Sequence, residues 1–178
     1  HIGLMCAALF AANAISVQGV MMQMFNHGIN IIGMWIVADL LEKQTGVKEI
    51  SKLSGVANKA PVLTILFVII ALANIALPLT NAFTGEFLMF SGLYNLKSWY
   101  AVAAGTGIIL SAVYTLNMIQ KIFYGSTNTV TEQVKDISWN EKLVLAIIIC
   151  IIFIIGVYPQ PLIDLTKDAV SNLLVRLK

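Results

Sequence analysis

Charge is what this sequence has least of. Its 178 residues carry 11 Lys plus Arg and 9 Asp plus Glu, 11% of the chain, where a typical soluble domain has about 25%. That shortage excludes an ordinary water-soluble enzyme and a nucleic-acid binder with a basic face. A hydrophobic content of 58% excludes a disordered tail. The net charge of +2 is too small to specify any partner. Cysteine is almost missing as well. Cys6 and Cys150 each lie inside an apolar run, where a thiol acts as a small hydrophobe. With no CxxC, no Cys/His cluster and no HExxH, no metal site is expected, and without a Gly-rich nucleotide loop no flavin or nicotinamide site is expected either. The chain opens on His1 inside an apolar stretch with no basic n-region. It reads as a fragment whose first span begins upstream.

What the sequence does have is apolar length. Runs near or beyond the ~20 residues that cross a bilayer recur along it, which predicts an all-α, polytopic transmembrane helix bundle. Residues 1–15 cover ~22 Å as a helix and read as a truncated span. Residues 17–41 are long enough to cross, yet contain Gln23, Asn26, His27 and Asn30. The stretch 42–60, with Lys43, Lys48, Lys52 and Lys59, is an aqueous loop. Residues 61–95 read as one discontinuous span broken near 78–81, because Pro78 removes a backbone donor and clashes with the preceding turn. Pro78, Thr80, Asn81 and Gly85 are the residues assigned to that break. Residues 99–123 form the next span, with Gly105, Gly107, Ser111 and Ala112 offering a close-packing face. The run 143–158 is the last span, ended by Pro159 and Pro161. Residues 161–178 then place Leu162, Leu165, Ala169, Leu173 and Leu177 on one stripe of a short interfacial helix. The whole of 1–178 reads as a single membrane domain.

If 61–95 crosses once, Lys43, Lys48, Lys52, Lys59, Lys121, Lys135 and Lys142 share one side. Lys97, Lys167, Arg176 and Lys178 then take the other, so positive-inside puts the 42–60 and 125–142 loops in the cytoplasm. Counting 61–95 as two spans gives a similar imbalance, so charge alone does not decide between them. Trp35, Trp99, Tyr100 and Trp139 suit interface anchors, and Met21, Met22, Met24 and Met34 suit packing.

Four ionisable groups lie in or beside the apolar runs: His1, His27, Asp39 and Glu86. Asp39 sits at the end of its span beside Glu42 and Lys43 and fits a solvated interface. Glu86 follows a broken helix. A charge at mid-bilayer costs at least ~2.5–3.5 kcal/mol, so it is expected to face a cavity or a partner and to have a task. The plain alternative is a carboxylate that only caps or packs helices. His27 falls near the middle of its span, and imidazole, whose unperturbed pKa lies near neutrality, can pass a proton between neighbours through its two nitrogens. Taken alone, a lone His among helices is as readily a hydrogen-bonded packing residue. Together, His1, His27 and Glu86 look like a proton relay.

Five segments carry a resemblance: HIGLM at 1–5, QMFNHGIN at 23–30, SGVANK at 54–59, ALPLTNAFTGEFL at 76–88 and GVYPQPLID at 156–164. They resemble the C-terminal third of subunit M (chain 4 in mitochondria) of the proton-pumping NADH:quinone oxidoreductase, respiratory complex I. That family is shared with Mrp-type cation/proton antiporter subunits and with sibling subunits L and N. Glu86, in a GEF motif where the siblings typically carry lysine, favours M, as do His1 and His27, which match the family's central polar axis. So does a chain that stops about twenty residues after its last span, without a long lateral helix. The family's first broken helix, with its lysine and paired glutamate, would lie upstream of His1.

The resemblance implies proton translocation coupled to electron transfer elsewhere, with His27 relaying and Glu86 as terminal donor or acceptor. It implies no cofactor in this chain, with NADH, FMN, Fe–S clusters and quinone in partner subunits. It also implies L- and N-like membrane neighbours, no nucleic acid, and the bacterial inner membrane in preference to the mitochondrial one. The rival readings are an Mrp-type antiporter subunit and a non-transporting membrane scaffold.

Overall fold

The computed structural model describes residues 1–177; Lys178, the last residue of the expected tail helix, lies outside them. Seven α-helices and no strand occur among the described residues. The first apolar run divides in two. Helix α1, Ile2–Phe10, ends in a turn where Ala12 takes a φ of 48°. Asn13 then caps α2, its Oδ1 accepting from the Ser16 N–H at 2.9 Å. Helix α2 (Ala14–Thr45) therefore starts earlier than residue 17. It also runs past Leu41, where Lys43 pairs with Asp39 at 2.6 Å, and stops at Gly46, left-handed at φ 68°. At 32 residues it is about 48 Å long.

Helix α3 (Pro61–Asn74) has proline in its first turn and no cap of its own at Ala60. Asp136, 74 residues on, supplies one: its carboxylate accepts from the N–H groups of Val62 (3.0 Å) and Leu63 (3.1 Å). The helix ends four residues before Pro78, at Asn74, the residue whose carbonyl the proline ring would strike. Its end is a Schellman arrangement with alanine in the left-handed place: Ala76 at φ 58°, Ala76 N–H on Ala73 O, Leu77 N–H on Leu72 O. Thr80 closes the break by donating both its N–H and its hydroxyl to Leu77 O. Helix α4 (Asn81–Leu96) follows. The break thus occupies 75–80, a little upstream of where the proline alone placed it.

Helices α5 (Ser98–Phe123), α6 (Trp139–Val157) and α7 (Gln160–Leu177) complete the chain. By length and composition α2, α5 and α6 can each cross a membrane. The two polar loops meet at one end of the bundle. Thr131 Oγ1 donates to Ser54 O (2.6 Å), Asn128 Nδ2 to Lys52 O (2.9 Å), and Gly55 N–H to Tyr124 O (3.1 Å). Since α2 ends and α5 ends at that same place, α3 and α4 together cross the bundle once.

Two expected packing faces are placed differently. Nothing lies within 4 Å of a Cβ built at Gly105 or Gly107 on α5; the close approach is instead between α2 and α4. A Cβ at Gly19 would stand 2.7 Å from the Met89 nitrogen and 2.8 Å from the Gly85 carbonyl oxygen. On α7, Leu165 is 78% exposed while Val170 is buried, and Gln18 of α2 bonds Thr166 Oγ1 at 2.5 Å. The face with Thr166 and Val170 meets α2, and the Leu165 side points away from the bundle. Met24 is likewise 60% exposed, where Met22 of the same expected packing set is buried.

Candidate functional site

The buried interior is two apolar clusters with a polar layer between them. Near the loop end, Val37, Leu41, Leu63, Phe67, Ile122, Phe123 and Leu145 belong to the larger cluster; at the other end Met5, Ala8, Val20 and Met89 form the smaller. Along α2 the polar layer is Gln23, Asn26, His27 and Asn30. Spacings of three and four put these side chains on one face, spread over ~10 Å of a ~48 Å helix, so near its middle.

Glu86, in the second turn of α4, is 3% exposed. Its Oε1 lies 2.8 Å from His1 Nδ1 at the start of α1, and accepts from Gln23 Nε2 at 3.3 Å. The His1 and His27 rings stand 5.2 Å apart, centre to centre, tilted by 46°. The structure therefore brings together the three residues the sequence singled out, from three different helices. Asn26 joins the layer to the broken helix. Its Nδ2 donates to Asn81 O (2.8 Å), and Asn81 Nδ2 donates back to Asn26 O (3.3 Å).

Several polar atoms here are buried with no hydrogen-bond partner among the described residues: His1 Nε2, His27 Nδ1, Glu86 Oε2, Gln23 Oε1, both side-chain polar atoms of Asn30, Asn74 Oδ1 and Thr115 Oγ1. Buried polar atoms are nearly always paired, so the unpartnered atoms of His1, Gln23, His27, Asn30 and Glu86 set this polar layer apart from the apolar clusters on either side of it. His1 and Glu86 also line a cavity of about 690 Å³ between α1, α4 and α5, together with Tyr100 and Ser111.

The break residues have separate positions. Pro78 lies in the break itself, Thr80 is the residue before α4 and Asn81 its first. Gly85 is one turn into α4 and not part of the break; a Cβ there would meet Gln23 Oε1 at 2.7 Å. Gln23, Asn74 and Thr115 received no role from the sequence. Gln23 was within reach, because it lies four residues before His27 and so shares its helix face.

The family model for NADH:quinone oxidoreductase/Mrp antiporter transmembrane proteins matches residues 1–112. The chain is 34% identical over 177 residues to NADH-quinone oxidoreductase subunit M of Rickettsia prowazekii, covering 99% of this chain and 36% of that protein. It is 30% identical to subunit M of Rhodobacter capsulatus over 97% of this chain and 34% of that one. It therefore spans about a third of the length of these curated relatives. Among solved structures, respiratory complex I from Thermus thermophilus with bound NADH superposes with a TM-score of 0.86 at 29% identity, covering 98% of this chain and 37% of the matched one. The Mrp complex from Dietzia sp. gives a TM-score of 0.84 at 15% identity over 97% of this chain and 40% of that one, a likeness of fold. With a buried acid and two histidines in an apolar helix bundle, and a family match over well more than half its length, the chain belongs to the NADH:quinone oxidoreductase/Mrp antiporter family of membrane proteins.

Proposed function

We propose that the chain is the C-terminal part of a proton-translocating membrane subunit, subunit M of a bacterial NADH:quinone oxidoreductase in the inner membrane. It moves protons through His1, His27 and Glu86. The observation that carries the reading is the His1–Glu86 contact of 2.8 Å, buried inside an apolar bundle and flanked by His27. Keeping an acid and two imidazoles there is costly, which argues for a task, and proton exchange is the task these groups share. The family relatives at 30–34% identity carry the subunit M name, which favours this over the Mrp-type antiporter reading. Residues 1–178 form one membrane domain of a larger antiporter-like subunit, with the 42–60 and 125–142 loops in the cytoplasm. Its neighbours are L- and N-like subunits, and the redox groups reside in other partners.

The test is Glu86→Gln in the full-length subunit within the complex. Gln keeps size and hydrogen-bonding reach but cannot take up and release a proton near neutrality. Assembly should stay near normal while NADH:quinone turnover and the linked pH gradient fall strongly. Glu86→Asp should retain part of both, and Lys135→Ala, in the polar loop, should change neither. If Glu86→Gln assembles and pumps normally, the relay reading gives way to the scaffold.

A further inference from the structure

We propose that Gln23 is the positioning residue for Glu86, and that its amide turns over as Glu86 gains or loses its proton. The proposal rests on the relay reading above. Glu86 Oε1 has two nitrogen neighbours: Gln23 Nε2, which donates at 3.3 Å, and His1 Nδ1 at 2.8 Å, which donates whenever that ring nitrogen carries the proton. That arrangement suits a carboxylate. With the proton of a neutral Glu86 on Oε1 and directed at Gln23, the NH₂ would meet an O–H, donor against donor, in a site shielded from bulk water: Gln23 is 1% exposed and Glu86 3%. Half a turn about the last side-chain bond of Gln23 exchanges NH₂ for carbonyl oxygen and presents an acceptor to that O–H. Gln23 Oε1 is buried with no other partner among the described residues, so no existing bond opposes the turn. The amide can do this without changing its own charge or protonation.

Gly85 is what gives the amide its room. A Cβ at that position would come within 2.7 Å of Gln23 Oε1, and within 3.1 Å of the Gln23 backbone nitrogen. The glycine beside the acid therefore serves the amide across the α2/α4 contact, not the break in the helix.

A Gln23 that only packs is silent when Glu86 titrates; one that turns over is not. The measurement is a pH-difference infrared spectrum of the complex with ¹⁵N-labelled glutamine side chains. In the unsubstituted protein an isotope-sensitive primary-amide band should titrate at the same pH as a protonated carboxyl C=O band. Gln23→Met, close in size but with no donor, should abolish that amide band and keep the carboxyl band. Its proton-coupled turnover should fall about tenfold at normal assembly, the worth of one hydrogen bond. If Gln23→Met does not assemble, Gln23→Asn, an amide one methylene too short to reach, is read in its place with the same expectation. Absence of a titrating amide band in the unsubstituted protein, or normal turnover in either variant, overturns the proposal. Failure of the underlying reading is recognised separately: Glu86→Gln would pump normally whatever Gln23 does.

Discussion

Replacing Asp136 by alanine should free the start of α3 and leave the rest of the bundle in place. The carboxylate satisfies two backbone donors of that helix, Val62 and Leu63, and also accepts from Ile137 N–H at 2.9 Å. Losing one capping side chain costs about 0.5–2 kcal/mol. With two helix donors on one carboxylate, Asp136→Ala belongs at the upper end, about 2 kcal/mol, or roughly 30-fold in local opening. The assay is amide hydrogen exchange at Val62 and Leu63 in the full-length subunit in nanodiscs, where both amides should exchange roughly 30-fold faster.

Asp136→Asn makes the expectation sharper. One oxygen remains for Leu63, and an NH₂ now faces the Val62 N–H, so only Val62 should speed up. The carboxyl also fixes a pH dependence. Burial pushes its pKa up, but hydrogen bonds from the backbones of Val62, Ile137 and Leu63, with the charge of Lys142, outweigh that and hold it below the ordinary value. A depressed folded value means the contribution is complete above the ordinary aspartate pKa of about 3.9 and is lost as pH falls through the folded one. Corrected for intrinsic rates, protection should be flat near neutrality and decline only in acid below about pH 4. Alanine should remove that decline. Unchanged exchange at both amides in Asp136→Ala would refute the cap.

Two further substitutions probe other levels. Gly19→Ala should lower assembly, since the added methyl would stand 2.7 Å from backbone it cannot displace, whereas Gly105→Ala on α5 should assemble normally; blue-native gels with quantitative blotting separate the two. His27→Ala should lower proton pumping more than it lowers assembly, read by pH-gradient dyes against complex abundance; equal losses would leave His27 a packing residue.

The helical, membrane-spanning character was legible because 11% charge and long apolar runs leave no other solution. The burial of Glu86 was legible for the same reason inverted, as a lone acid inside an apolar run that had to find a cavity or a partner. The break was legible through Pro78, but its edges were not: they are set by the Ala76 left-handed turn and the Thr80 bonds to Leu77 O, which leave no mark in hydropathy. Helix faces were harder still. In lipid both sides of a helix are apolar, so the stripe on α7 and the small residues on α5 gave no sign of which side meets protein. Long-range bonds such as Asp136 to α3 join residues 73 and 74 apart and have no sequence signal at all.

The paired amides of Asn26 and Asn81 decide where the acid is measured from. Glu86 follows Asn81 on an unbroken helix, and Asn81 is held by two bonds to the residue next to His27. The datum for the acid is thus α2, while α3 takes its own datum from the loop end through Asp136. Tolerances in the two halves of the interrupted span do not add. Along the chain, a tilt of α3 in a thicker or thinner bilayer would have to pass through residues 75–80, and then against the bonds that tie α4 to α2, before it moved the carboxyl.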